Sequence, residues 1–270
     1  MTKPLVRIVK DVVKFVGGPF FLVYLFWRAF FRRWQFLKLG NTASTPAESN
    51  PLRDYFQNHR KGPGIWKWDH YFDIYHRHFE RFRGQEVHIL EIGIYSGGSL
   101  GMWRDYFGPR CHVYGVDIEP ACKVYERDGV KVFIGNQADR SFWRRFWQEV
   151  PRIDIIIDDG GHRTDQQIIT LEETLPKLSP GGVFLCEDVH GTYKGFTAYI
   201  DGLMHQLTAG DLVHNLDNDS RRLTARANSF QESIGSIHSY PFVTVIEKRA
   251  KRLQEFVAPK HGTEWQPFMK

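Results

Sequence analysis

The pattern of apolar and polar positions divides the chain into stretches of different character. From Leu5 to Lys38 aromatic and aliphatic residues stand between isolated basic ones, and Phe15 to Trp27 carries no charge at all. Those thirteen uncharged residues, broken by Gly17, Gly18 and Pro19, are too few to cross a bilayer as one helix. With Lys10, Lys14, Arg28, Arg32 and Arg33 around Phe20, Phe21, Phe26, Trp27, Phe30, Phe31 and Trp34, residues 1–38 read as an element lying in a membrane interface. The alternative is a hydrophobic arm buried on the domain or in a dimer. No small-residue cleavage site follows, so a secretory signal is not expected. Residues 40–51 are polar and turn-rich, which marks a linker.

After Gly64, apolar residues at 68, 71, 72, 75, 79 and 82 have helical spacing and predict a helix with one face on a sheet. Short apolar runs follow, at 87–92, 112–117, 131–135, 153–158 and 183–186, each breaking into glycines, acids or amides at its carboxyl end. Blocks of this length suit strands buried on both faces of a parallel sheet. Helices are expected at 141–150 and 171–178, the second ended by Ser179-Pro180-Gly181-Gly182. Residues 192–203 begin a loop and helix placed to cover a crevice as a lid. Strands at 235–240 and 242–248 meet tightly at Pro241 as an antiparallel hairpin. The expected fold class is α/β: a Rossmann-like, doubly wound, mostly parallel seven-stranded sheet with an antiparallel C-terminal hairpin and an N-terminal hydrophobic helical appendage. The boundaries are 1–39 for the interface segment, 40–63 for the linker, 64–250 for the α/β domain and 251–270 for a basic surface tail. The chain contains no internal repeat.

Composition changes this picture little. A length of 270 residues fits one α/β domain with extensions. The net charge of +5 gathers at places such as Arg28, Arg32, Arg33 and Lys38, a distribution that points to an anionic membrane surface and away from nucleic acid. Cys111, Cys122 and Cys186 lie in or beside predicted buried elements and read as reduced thiols of a cytosolic protein. His70, His76 and His78 do not share one metal-binding face.

The candidate chemistry sits where the strands end, because ligands of open α/β sheets bind beyond the carboxyl ends of the strands. Glu91, Gly93, Tyr95 and Ser99 belong to the first strand and the loop after it, with Gly97 and Gly98 allowing close backbone approach. An acid ahead of the first glycine argues against a pyrophosphate and suits a cofactor with a cationic, amino-acid-like end, S-adenosylmethionine (SAM). Asp117 ends the second strand about 26 residues later and can accept from both ribose hydroxyls of a nucleoside, a feature shared with NAD sites. Asn136 and Gln137 follow the third strand, where an adenine could be held, and Asp158 closes the cofactor set. Asp158, Asp159, Glu187 and Asp188 converge on one edge, where four carboxylates repel unless a cation or basic partners neutralise them. Oxygen ligands of this kind suit Mg²⁺ or Mn²⁺. The alternative is that some of them cap helices or pair with Arg163 or Lys194.

Lys67-Trp68-Asp69-His70-Tyr71, Leu90-Glu91-Ile92-Gly93, Gly97-Gly98-Ser99-Leu100, Tyr114-Gly115-Val116-Asp117-Ile118, Gly135-Asn136-Gln137-Ala138-Asp139, Ile157-Asp158-Asp159-Gly160-Gly161-His162 and Glu187-Asp188 follow in order between Lys67 and Leu203. In these blocks the chain resembles the class I SAM-dependent methyltransferases, and more narrowly the metal-dependent sugar O-methyltransferases of the macrocin and mycinamicin type. Related cephalosporin-hydroxylase-like proteins share the fold and the acidic cluster. The resemblance implies that Asp159, Glu187 and Asp188 bind Mg²⁺ and that His162 is the general base. The chain departs from that family in Asn136 where an acid is usual, Gly161 where Ser is common, and the N-terminal hydrophobic segment. The implied function is Mg²⁺-dependent O-methylation of a glycosylated small molecule or glycolipid, by a cytoplasmic protein held peripherally or monotopically at the inner face of the membrane, with homo-oligomerisation left open. The competing readings are an NAD-dependent oxidoreductase, disfavoured by Glu91 and the glycine spacing, and a non-catalytic, membrane-associated SAM-binding scaffold.

Overall fold

The computed structural model describes residues 23–32, 49–191, 195–210, 222–259 and 261–262. The remainder of the proposed interface segment, the linker as far as residue 48, Lys194 with the loop at 192–194, and the end of the tail lie outside the described residues. Two compact units are present, Met1–Glu48 and Ser49–Lys270. In the first, residues 23–32 form helix α1, and its Val23, Tyr24, Phe26, Trp27 and Phe31 are exposed. Among the described residues no helix is long and apolar enough to cross a membrane.

The second unit is built on seven strands: β1 (Val87–Ile92), β2 (Cys111–Asp117), β3 (Val130–Ile134), β4 (Ile155–Asp158), β5 (Val183–Cys186), β7 (Ile234–Tyr240) and β8 (Val243–Lys248). They lie in the order β3-β2-β1-β4-β5-β8-β7, with β5 and β8 antiparallel, so the expected fold class is the observed one. The short strands β6 (Arg222–Arg226) and β9 (Glu255–Pro259) pair in a separate two-stranded sheet. Part of the expected surface tail is therefore an exposed strand.

Both sheet faces are covered, because alternate residues of each strand point to opposite sides. Val87 and Ile89 of β1 and Ile155 and Ile157 of β4 pack against α2 (Pro51–Asn58), α3 (Tyr71–Phe79) and α4 (Gly98–Phe107). Leu90, Ile92 and Ile156 face α5 (Arg140–Glu149), α6 (Thr164–Thr174) and α7 (Gly195–Thr208). Each of these fully buried aliphatic side chains contributes about 1.5–3 kcal/mol from burial. The three cysteines are buried and form no disulfide, and burial pushes the Cys111 thiol up to about 12.

Four local expectations change. Residues 51–58, placed in the linker, form α2, capped by the Asn50 side chain on the Leu52 and Arg53 amides and anchored by buried Leu52. The helix expected from Gly64 starts only at Tyr71; Trp66 and Trp68 are exposed, and the segment before the helix runs as a loop across the sheet's end. The helix expected at 171–178 begins at Thr164. Finally, α7 is no lid in its described part: Phe196 and Ile200 are buried in the layer that includes α6, and α7 contributes nothing to the cavity described next.

Candidate active site

A cavity of about 860 Å³ opens at the carboxyl ends of β1, β2, β4 and β5. Its floor is the loop after β1. Gly93 adopts φ +87°, and a Cβ there would run into the Asp159 carbonyl, so only glycine lets the β1 and β4 loops touch. Gly97, at φ +74°, turns the chain into α4, while Gly98 lies so close to the Pro63 and Gly64 carbonyls that the loop before α3 is pinned against the start of α4.

That pinned loop delivers a residue the sequence reading left without a role. The Lys67 ammonium is buried and stands 2.5 Å from Asp159 Oδ2, 2.9 Å from Glu187 Oε2 and 3.9 Å from Glu91 Oε1. Burial alone would lower its pKa, but Asp159, Glu187 and Glu91 together raise it above the ordinary lysine range. Around it, burial pushes Glu91 up to about 7 against the pull of Lys67. Burial and Asp159 push Glu187 up to about 8. We take Lys67 as the charged partner, since it donates to three carboxylate oxygens at hydrogen-bond distance. The only signal for it in the sequence was its place in the Lys67–Tyr71 block.

Several expected cofactor residues occupy other positions. Glu91 is fully buried and does not line the cavity; it faces α4, accepts from Ser99 Oγ at 3.0 Å and looks toward Lys67. Asp158 is buried and also absent from the lining; Gln137 Nε2 donates to it at 2.9 Å. Gln137 touches the cavity, but its amide is engaged with Asp158, Thr170 and the Gly161 amide. Gly93, Tyr95, Ser99, Asp117 and Asn136 do line the cavity. Asp117 accepts from the Ile94 and Tyr95 amides at 2.8 and 3.1 Å and from the Glu119 amide at 2.9 Å, so it holds the glycine loop in shape while facing the cavity.

Of the expected metal set, Asp159 and Asp188 converge with His162 rather than with Glu187: one ligand atom from each lies within 4.8 Å of the others. His162 Nε2 stands 3.5 Å from Asp188 Oδ2 and 4.0 Å from Asp159 Oδ1. Glu187 also lines the cavity, but its carboxylate is engaged by Lys67 and by Tyr75 Oη at 2.6 Å. Asp188 accepts from Tyr71 Oη at 2.7 Å and from Trp68 Nε1 at 3.2 Å. Among the described residues the non-glycine positions with positive φ are Tyr95, His162, Asp188 and Phe242; three line the cavity and the fourth packs against Trp68 at its rim. Backbone strain of this kind costs about 1–3 kcal/mol per residue and persists where surrounding structure over-determines it.

Residues 90–189 match a family described as a methyltransferase domain. A rhamnosyl-tetracenomycin-C 2'-O-methyltransferase of Streptomyces olivaceus is 32% identical over 71% of this chain and 53% of its own length. The demethylmacrocin O-methyltransferase of Streptomyces fradiae is 30% identical over 78% of this chain and 55% of its own. The MycE methyltransferase of the mycinamycin biosynthetic pathway, solved with Mg, S-adenosylhomocysteine (SAH) and mycinamycin VI, superposes with TM-score 0.57 at 25% identity, covering 74% of this chain and 53% of that one. The chain thus spans about half the length of these relatives. Over residues 90–189 the chain is a methyltransferase domain, and it resembles the class I, SAM-dependent O-methyltransferases that act on the sugars of macrolides and tetracenomycins.

Proposed function

We propose that this chain transfers a methyl group from SAM to a hydroxyl of a glycosylated small molecule, with Mg²⁺ at the carboxylate site. One observation carries the reading: a single cavity joins a nucleoside-type wall, with Gly93, Asp117 and Asn136, to a carboxylate–imidazole wall, with Asp159, His162 and Asp188. A sulfonium cofactor suits a cavity with this excess of carboxylates. The same excess fits a divalent ion, because Glu91, Asp159 and Glu187 share one buried ammonium and Asp188 adds a fourth carboxylate beside Tyr71. Asp159 and Asp188 would hold the metal, while Glu187 has both oxygens engaged by Lys67. When bound, Mg²⁺ supplies Lewis acidity that brings a sugar hydroxyl toward ionisation.

His162 then takes the hydroxyl proton at Nε2, and Asp188 Oδ2, 3.5 Å from that nitrogen, stabilises the imidazolium. Ile92, Ile94, Val116 and Ile118 line the cavity with apolar surface that excludes water. Trp68, tilted at 59° against Phe242 at the rim, offers a flat apolar face to a sugar ring.

EDTA is expected to abolish transfer while SAH still binds, and Asp159→Asn to reproduce the chelator effect. Full turnover of a glycoside acceptor in EDTA would remove the metal from the reading. Asp117→Ala should weaken SAH binding at least about tenfold, since a hydrogen bond to a charged group contributes about 1.5–3 kcal/mol and the glycine loop loses its acceptor as well. Unchanged affinity by calorimetry would take Asp117 out of the site.

A lipid-linked acceptor is a separate part of the proposal and is supported by the exposed aromatic residues of α1 with Arg28 and Arg32 among them. Full-length protein should float with anionic liposomes at low salt, each basic residue contributing about 1 kcal/mol, and a chain starting near Asn50 should not. Equal behaviour of the two would leave a soluble glycoside as the acceptor.

A further inference from the structure

Among the described residues three groups offer three metal-ligating side chains within 4.8 Å of one another, and two of them lie outside the cavity. In the group of His78, His238 and Glu247 a cation is already in place: Arg81 donates to Glu247 Oε1 at 3.0 Å, and both nitrogens of His78 are engaged, by Glu247 and Tyr240. In the group of Glu86, His88 and His112 the acid pairs with the two imidazoles. His88 and His112 are register partners on the adjacent parallel strands β1 and β2, and their rings stack with centroids 4.5 Å apart. Both Nε2 atoms turn to one oxygen, Glu86 Oε1, at 3.6 and 4.0 Å.

We propose that Glu86, His88 and His112 bind a zinc ion at the end of the sheet opposite the methyl-transfer cavity. Tetrahedral zinc with bonds of about 2.0–2.2 Å separates its ligand atoms by roughly 3.4 Å, so the two imidazoles must close on Glu86 Oε1 by about 0.2 and 0.6 Å from 3.6 and 4.0 Å. Turning the half-exposed His112 ring brings its lone pair into line. His88 Nδ1 meets Tyr114 Oη at 3.1 Å, the outer contact that fixes ring orientation in histidine metal sites and leaves Nε2 to the ion. The opposing cation, Arg152, is neutralised by Asp154 at 2.8 Å, and Asp154 also accepts from the His88 amide. Two imidazoles and one carboxylate favour zinc over Mg²⁺, and the half-exposed rim leaves room for water as a fourth ligand. Zinc there would clamp the starts of β1 and β2 to the turn before them.

The test uses metal-stripped full-length protein in excess Mg²⁺, titrated with Co²⁺ as a spectroscopic stand-in that Zn²⁺ displaces. A visible band of low-coordinate Co²⁺ should appear, with His112→Ala and Glu86→Gln weakening it at least about tenfold, and with His162→Ala and His238→Ala leaving it unchanged. His112→Ala removes only a half-exposed side chain, so its unfolding midpoint in EDTA should equal that of the wild type, and Zn²⁺ should raise the midpoint of the wild type alone. Absence of the band, its persistence in His112→Ala, or its loss in His162→Ala would overturn the assignment.

Discussion

Lys67→Met is expected to lower stability by about 3–5 kcal/mol in urea unfolding with chelator present, because it leaves fully buried carboxylates without their cation. The ammonium reaches Asp159 and Glu187 at hydrogen-bond distance and Glu91 at 3.9 Å, and Glu91 and Glu187 have almost no access to water. The loss should depend on pH in a definite direction. Glu91 has its folded pKa raised to about 7, so the native state holds a proton that the unfolded chain releases near its ordinary value. Stability tied to this group is therefore full at low pH and falls as pH rises through 7. Without Lys67 the raised pKa climbs further, so the deficit of the variant should be larger at pH 8 than at pH 5.5. An unfolding midpoint matching the wild type at both values would show that Lys67 is not the counter-ion of the cluster.

His162→Gly should separate chemistry from folding more cleanly than an alanine variant. His162 sits at φ +54°, where glycine is unstrained, so the substitution relieves backbone cost while deleting the proposed base. Turnover should fall by about 10²–10⁴-fold, the usual contribution of a positioned general base, while SAH binding and the unfolding midpoint hold or improve. Retained turnover would move the proton-accepting role elsewhere, and a lower midpoint would mean that the imidazole's contacts with Asp159 and Asp188 outweigh the strain.

The strands, their order of appearance and the acids at their carboxyl ends were legible in the amino-acid sequence, because hydrophobic periodicity and glycine placement act over a few residues. The same locality groups Asp158, Asp159, Glu187 and Asp188 at one edge by their nearness to strand ends, and the tertiary structure adds that Glu187 pairs with Lys67 and Tyr75 while His162 stands between Asp159 and Asp188. Glu91 shows the reason in its simplest form. Strand period two puts it on the face of Ile89, and only the packing of Ser99 and Trp103 from α4 on that face makes it a buried acid instead of a cavity wall. Lys67 finds its partners 92 and 120 residues further along the chain. Charge neutralisation over such separations leaves no periodic trace, since it depends on which loops the glycine contacts at Gly93 and Gly98 press together. The sequence by itself determined the sheet and the supply of acids at its edge; the tertiary structure decided which acids face the cavity, because desolvation and pairing energies exist only once distant loops meet.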